Sequence, residues 1–330
     1  MTVYRNTSDA FTSLLQTIVQ DGQEVTVRDK GTKEICAQLI ELDEPTERCL
    51  FLAGRNNNVF AAIAESMWVL AGRNDLEYLS PYLKRAHEFS DDGGITWRAG
   101  YGPRLRDWNG TDQLHKIVDL LRADPTSRRA VITLYDPDRD FTVSNDIPCN
   151  NWLHFIARDG KLHLHVAARS TDIWWGFSGI NAFEWTLLLE MMAHWIGLAP
   201  GRLLFFTSSL HLYEHHYAQA EVVLNSLPKA PAPYPAQRAA FGTPWERFDT
   251  TLADWMKLEQ DIRQGGDLED LDAHLDDPLL HQYIQMIDLY WAFKRGADDE
   301  HIRRKLGSLG DTDLALAAAE FLARQNSQQH

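Results

Sequence analysis

Cys149 is the residue of this sequence best suited to covalent chemistry. It follows Pro148 and leads into a strand-like run, NWLHFIA. A thiolate is the nucleophilic form of cysteine, and nearby cations stabilise it. The chain offers cations in two short blocks, Arg128–Arg129 after Pro125–Thr126–Ser127, and Arg169 followed by Ser170. Guanidinium forks match phosphate oxygens, and a serine hydroxyl adds a donor. Glu65 stands between Ala64 and Ser66 in an apolar helical stretch. A buried carboxyl is costly unless it is paired or used, and a protonated or water-linked one relays protons. Asp172 lies three residues after Arg169, within reach of it. His211 and Tyr213 alternate along a strand and so face the same way.

Taken one at a time, each of these has a plainer explanation. A lone cysteine is commonly a small buried hydrophobe, and Cys36 and Cys49 keep that reading. An arginine pair is commonly a solvated face. Glu65 can reach solvent from a helix surface, and His211 with Tyr213 can be a satisfied polar pair at a sheet edge. His163 and His165 read as a wet strand face. No HExxH, no Cys/His framework, no P-loop and no GxGxxG occurs, so no metal is expected.

The elements that must position these residues follow from periodicity. Ser8 is placed to cap a helix carrying Phe11, Leu14, Leu15, Ile18 and Val19. Residues 24–42 read as two strands about a turn at Asp29–Lys30–Gly31. Residues 59–71 read as an apolar helix, 111–122 as an amphipathic one, and 128–136 as a strand. Runs 151–157 and 161–167 flank Asp159–Gly160, a hairpin signature. Residues 181–198 are apolar nearly all round, which predicts a buried central helix. Residues 202–213 read as a strand, 227–244 as a Pro- and Ala-rich connector, and 250–264, 278–295 and 311–325 as helices. The pattern is α+β: a sheet core with helices over residues 1–225, then a helical C-terminal extension, 226–330, packed on that core.

With 330 residues, 44% hydrophobic and 24% charged, the composition is globular. A net charge of −15 makes nucleic acid and anionic membranes poor partners, so any bound anion needs local arginines. Three cysteines without a CxxC suit a reducing compartment. The N-terminus shows no signal-peptide pattern, and no apolar run is long enough to span a bilayer. A cytoplasmic protein is the expectation.

The order of these pieces resembles the thymidylate synthase family. The matching segments are AESMWVLAG (64–72), YGPRLRDW (101–108), DPTSRRAVITLYDP (124–137), IPCNNWLHF (147–155), ARSTDIWWG (168–176), NAFEWTLLLEMMA (181–193) and SLHLYEHH (209–216). The resemblance covers roughly residues 20–220 and implies a thymidylate-synthase-like mixed sheet. It implies Cys149 as the nucleophile that adds to C6 of a pyrimidine nucleoside monophosphate. Glu65 then organises water and protons at the base, and Tyr101 assists proton removal from C5. Arg169 and Ser170 match phosphate ligands. Arg128 and Arg129 match arginines that reach the phosphate of a partner subunit, which implies a homodimer. Asp172 matches the folate-site aspartate, Asn181 the base reader, and His211 and Tyr213 the groups on the sugar 3′-hydroxyl. Arg28 ranks ahead of Lys30 for the N-terminal phosphate loop. Asn151, beside the nucleophile, joins the substrate ligands.

Such chemistry needs these residue types. C5 of a pyrimidine is a poor nucleophile until a thiolate adds at C6. The activated ring then takes a one-carbon unit from 5,10-methylenetetrahydrofolate, leaving an exocyclic methylene. Hydride makes it a methyl and water makes it a hydroxymethyl. Asn150–Asn151 replaces the usual histidine after the nucleophile. FSGIN (177–181) carries one extra residue. Ser209–Leu210 replaces Gly-Asp, and the usual Met-x-Val closing tail is absent. These departures resemble the nucleotide hydroxymethylase branch. The expectation is a folate-dependent 5-hydroxymethylase, with CMP or dCMP favoured and dUMP possible. The alternatives are a thymidylate synthase and a catalytically silent nucleotide-binding homologue.

Overall fold

The computed structural model describes residues 2–52, 54–55, 57–144, 146–228, 233–271 and 274–328. Residues 229–232 of the Pro/Ala-rich connector and the last two residues of the polar tail lie outside that set. Eight strands form one mixed sheet: β1 (Val3–Tyr4), β2 (Gln23–Val27), β3 (Lys30–Leu42), β4 (Val131–Thr133), β5 (Asn150–Arg158), β6 (Lys161–Ala168), β7 (Thr171–Asp172) and β8 (Ala199–Tyr213). The order is β1-β3-β8-β6-β5-β4, with β2 on β3 and β7 on β8. Strand β8 runs antiparallel to β3 and parallel to β6, so it lies inside the sheet. His211 and Tyr213 are therefore interior to the sheet rather than at an edge.

The helices are α1 (Thr7–Asp21), α2 (Val59–Leu70), α3 (Leu76–Leu79), α4 (Tyr101–Arg106), α5 (Gln113–Ala123), α6 (Pro137–Asp140), α7 (Ala182–Trp195), α8 (Tyr217–Asn225), α9 (Trp245–Arg263), α10 (Pro278–Lys294), α11 (Asp299–Ser308) and α12 (Asp313–Gln328). Every residue of α2 is buried, and so is nearly every residue of α7. Their all-round apolar sequences place them at the centre, where a helix has no wet face to provide. A π-helical segment, Ile173–Asn181, runs directly into α7. It sits where the sequence carries its extra residue; a π turn is how a helix absorbs one.

Helices of the C-terminal region share the same apolar core. The rings of Tyr290 and Phe321 lie 5.3 and 5.1 Å from that of Phe60 on α2. The Tyr82 hydroxyl donates to Glu259 Oε1 at 2.6 Å. Among the described residues, no helix is long and apolar enough to cross a membrane.

Several local expectations change. Helix α1 is capped by Asn6, whose side chain accepts from Asp9 N–H, while the Ser8 hydroxyl accepts from Phe51 N–H. The first hairpin turns on Arg28 and Asp29, both at positive φ (49° and 61°), with Val27 opposite Lys30. That is a two-residue turn of the kind whose twist suits paired strands. The second turns on Asp159 and Gly160, at φ 51° and 73°, as the sequence predicts. The strand near 128–136 is only Val131–Thr133, and α11 was not anticipated. Cys36 is exposed rather than buried, whereas Cys49 is buried.

Candidate active site

A cleft of about 1760 Å3 runs between the sheet, α2 and the C-terminal helices. It brings together Cys149, Glu65, Tyr101, Asp172, Arg28, Arg169, Ser170, Asn181, His211 and Tyr213. Arg128, Arg129 and Asn151 are not in its wall. Arg128 and Arg129 are exposed just before β4. Asn151 sits at an irregularity of β5, where its carbonyl accepts from the N–H groups of Leu134 and Tyr135 at 2.8 and 3.1 Å. A typical small-molecule pocket holds roughly 300–1,000 Å3. The cleft therefore has room for two ring systems together.

Cys149 ends the loop that feeds β5, and Arg169 fixes that loop. The Arg169 N–H donates to the Cys149 carbonyl at 2.9 Å. Its guanidinium donates to Pro148 O (3.0 Å), Ile147 O (2.7 Å) and Ser170 Oγ (3.0 Å). One residue thus holds the backbone on which Cys149 stands and exerts positive charge on its sulfur. Burial pushes the Cys149 thiol up, Arg169 and Ser170 pull it down, and Asp146 and Asp172 push it up again. A bound phosphate or a proton moved from Asp146 changes that balance.

Tyr101 opens α4. Its hydroxyl oxygen accepts from the Asn150 backbone N–H (3.1 Å) and side-chain Nδ2 (2.8 Å). Both acceptor positions are taken, so its own proton is left to point elsewhere. Burial first, and then Cys149, hold the phenol far above its usual pKa. Asn150 is thus a site residue that sequence reasoning did not rank; its signal was the replaced position after the nucleophile.

Glu65 is 8% exposed in the middle of α2, and its Oε2 has no hydrogen-bond partner among the described residues. Burial raises its pKa, and Asp146 raises it further. Asp146 was also missed. It lies three residues before Cys149, its Oδ2 accepts from Ala99 N–H at 2.9 Å, and burial lifts its pKa to about 6. Asp172 caps the π-helical segment by accepting from the N–H groups of Trp174 and Trp175, both at 2.9 Å. Burial raises its pKa, opposed first by His211. His211 and Tyr213 pack edge to face with centroids 5.1 Å apart.

Flat walls complete the cleft. Trp97 stacks on Phe89 at 4.7 Å and 6°, Trp175 is 42% exposed, and Phe293 comes from α10. Lys84, Arg85, Lys294 and Arg324 supply positive charge to the same cleft. Aromatic faces beside basic groups suit a flat heterocycle that carries carboxylates. No group of three or more potential metal ligands occurs among the described residues.

The thymidylate synthase family model matches residues 9–258. Over 292 residues the chain is 32% identical to a deoxyuridylate hydroxymethyltransferase of Pseudomonas phage M6, covering 86% of this chain and 82% of that protein. It is 30% identical over 320 residues to the deoxyuridylate hydroxymethyltransferase of Delftia phage PhiW-14, covering 90% and 88%. A deoxyuridylate hydroxymethyltransferase of Bacillus phage SP01 is 40% identical over 220 residues, and that match spans 57% of the phage protein's length. With Cys149, three carboxyl groups whose pKa burial raises, and Arg28 and Arg169 gathered in one cleft of this fold, the chain belongs to the thymidylate synthase family of one-carbon transferases.

Proposed function

We propose that this protein hydroxymethylates C5 of a pyrimidine nucleoside monophosphate, with 5,10-methylenetetrahydrofolate as one-carbon donor and water as the final nucleophile. The observation that carries this reading is the convergence of Cys149, Tyr101, Glu65 and Asn181 with Arg169 and Ser170 in one cleft. Deoxyuridylate is the first substrate to test. The sequence leaned toward cytidylate, but the phage relatives are named for deoxyuridylate, and a carboxamide at Asn181 suits uracil.

In this reading Arg169, Ser170 and Arg28 hold the phosphate, and His211 and Tyr213 hold the sugar. The Cys149 thiolate adds to C6, helped by the charge of Arg169. The aromatic walls and basic rim hold the folate, which supplies the one-carbon unit. A water that accepts from the Tyr101 hydroxyl, whose position Asn150 fixes, takes the C5 proton, and tetrahydrofolate leaves to give the exocyclic methylene. Glu65 and Asp146, both held protonated more readily than free carboxyls, pass protons at the base. Water then adds to the exocyclic methylene, its proton goes to a carboxylate, and Cys149 leaves C6.

Arg128 and Arg129 serve a second copy. The sheet supports this with a row of cross-strand neighbours on its outward face: Leu39 opposite Phe206, then Ala167, then Trp152. Leu39, Phe206 and Trp152 are 41%, 40% and 37% exposed. An uncovered apolar sheet face is what a partner subunit buries.

The test is the mass of the product from dUMP, dCMP, CMP and UMP with methylenetetrahydrofolate. A product heavier by one hydroxymethyl group on dUMP is expected. A methyl product with dihydrofolate release assigns the chain to thymidylate synthesis instead. No tritium release from C5-labelled nucleotide assigns it to silent binding.

A further inference from the structure

Glu184 opens α7 three residues after Asn181, so the two side chains share a helix face. It is 3% exposed, and neither carboxyl oxygen has a hydrogen-bond partner of regular geometry among the described residues. A buried polar group without a partner is rare enough to require a reason. Glu184 is not part of the cleft wall, so it acts through a neighbour that is. Asn181, three residues before it, is in that wall.

Glu184 interacts electrostatically with the Asn181 carboxamide, the Glu65 carboxyl and the Tyr101 hydroxyl, as α7 packs against α2. Burial, then Glu65, push its pKa well up, while the Asn181 amide pulls it down. An N–H turned toward a carboxyl oxygen has this sign of effect. The other end of the amide fits this orientation. Asn181 Oδ1 is turned toward Gly176, 3.9 Å from where a Cβ would stand there.

The reading edge of a carboxamide carries one acceptor and one donor. Uracil presents an N3 donor beside an O4 acceptor, and cytosine presents an N3 acceptor beside an amino donor. For a base held in one pose by its sugar and phosphate, turning the amide over exchanges the base that fits. A free amide reads both.

We propose that Glu184 is a positioning residue that fixes which way the Asn181 carboxamide faces, and so sets the choice between uracil and cytosine. Asn181 Nδ2 has two hydrogens. One goes back to the Glu184 carbonyl oxygen, and the other pairs with Oδ1 to read the base. The proton on Glu184 is directed at Glu65, whose buried Oε2 is free to accept it. Turning the amide over sets Oδ1 against a carboxyl oxygen in a dry interior, where facing acceptors repel. The inference rests on Asn181 being the base reader proposed above.

The test measures kcat/KM for dUMP and dCMP in the wild type, Glu184→Gln, Glu184→Leu and Asn181→Asp, and in the double variant Asn181→Asp/Glu184→Leu. Glutamine keeps an oxygen for Asn181 and a donor for Glu65, as the protonated carboxyl does. Leucine offers neither. The expected result is that the dUMP/dCMP ratio moves toward one by about tenfold or more in Glu184→Leu and stays within about twofold of the wild type in Glu184→Gln. An aspartate in place of Asn181 has no amide to orient, so the double variant is expected to match Asn181→Asp alone. Any general loss of folding scales both substrates equally and leaves the ratio unchanged. A ratio shifted by Asn181→Asp but kept within about twofold by Glu184→Leu overturns the proposal and spares the base reader. A ratio unmoved by Asn181→Asp, or near one in the wild type, overturns the base reader and the proposal with it.

Discussion

At the scale of single residues, this site is built on carboxyl groups kept from water. Glu65 and Glu184 both have pKa values raised by burial, so the folded protein binds their protons more tightly than the unfolded chain. Their stabilising contribution is fully present below the unfolded carboxyl range, near pH 4. It is lost as pH rises through the raised folded values. Glu65→Gln has no such charge to bury. The variant is expected to match the wild type near pH 4 and to exceed it by about 1–3 kcal/mol at pH 8. Denaturant melts at the two pH values decide this, and a constant difference between them rejects it.

Sequence alone marked Cys149, Glu65 and the arginines, because their types are conspicuous against their neighbours. It passed over Asn150, Asp146 and Glu184. The apolar run 181–198 predicts a buried helix around Glu184 but not its neighbours, which the packing of α7 against α2 sets.

At the scale of elements, the π-helical turn between Asp172 and α7 decides where Asn181 stands. Ser178 holds that turn open. Its hydroxyl donates to the Ile173 carbonyl at 2.7 Å, lies 3.2 Å from the Trp174 carbonyl, and accepts from Arg55 Nη2 at 3.2 Å. Arg55 also donates to the Trp174 carbonyl and lies over the Trp174 ring, centred 4.6 Å away. Ser178→Ala is expected to cost about 1–3 kcal/mol, because buried partners lose a bond that water cannot replace. It should also raise KM for nucleotide more than it lowers kcat. Equal melting midpoints and an unchanged KM would contradict this. The extra residue was visible in the sequence as an irregular FSGIN. Its form as a π turn was not, since Arg55, which bonds both Ser178 and the Trp174 carbonyl, is far away in the chain. The Asp159–Gly160 hairpin was legible in full because its turn is local. The Asn6 cap was not, because Ser8 is an equally good local candidate until Phe51 N–H claims its hydroxyl.

At the scale of the whole molecule, one face of the sheet is covered by α7 and its neighbours, and the other carries Leu39, Phe206 and Trp152 outward. Trp152→Glu places a charge in the middle of that row. It is expected to convert the proposed dimer to monomers in light scattering. It should also lower nucleotide affinity, since the roles proposed for Arg128 and Arg129 need a neighbouring copy. A dimer of unchanged size would remove this face as the interface. The α+β pattern and the central helices were readable from periodicity. What covers the cleft was not, because the apolar stripes of α10 and α12 say only that they are buried, and not against which partner.

The contacts of Phe60 with Tyr290 and Phe321 also set an order of events during synthesis. Strands β3, β5, β6 and β8 and helix α2 leave the ribosome long before α10 and α12. Pairings so distant in sequence form late, after local hairpins and central helices. The loop that carries Cys149 can be in place while the opposite wall of its cleft is still unmade. A nascent chain therefore carries a thiol beside an open groove, and the cleft is complete only when the last helices dock.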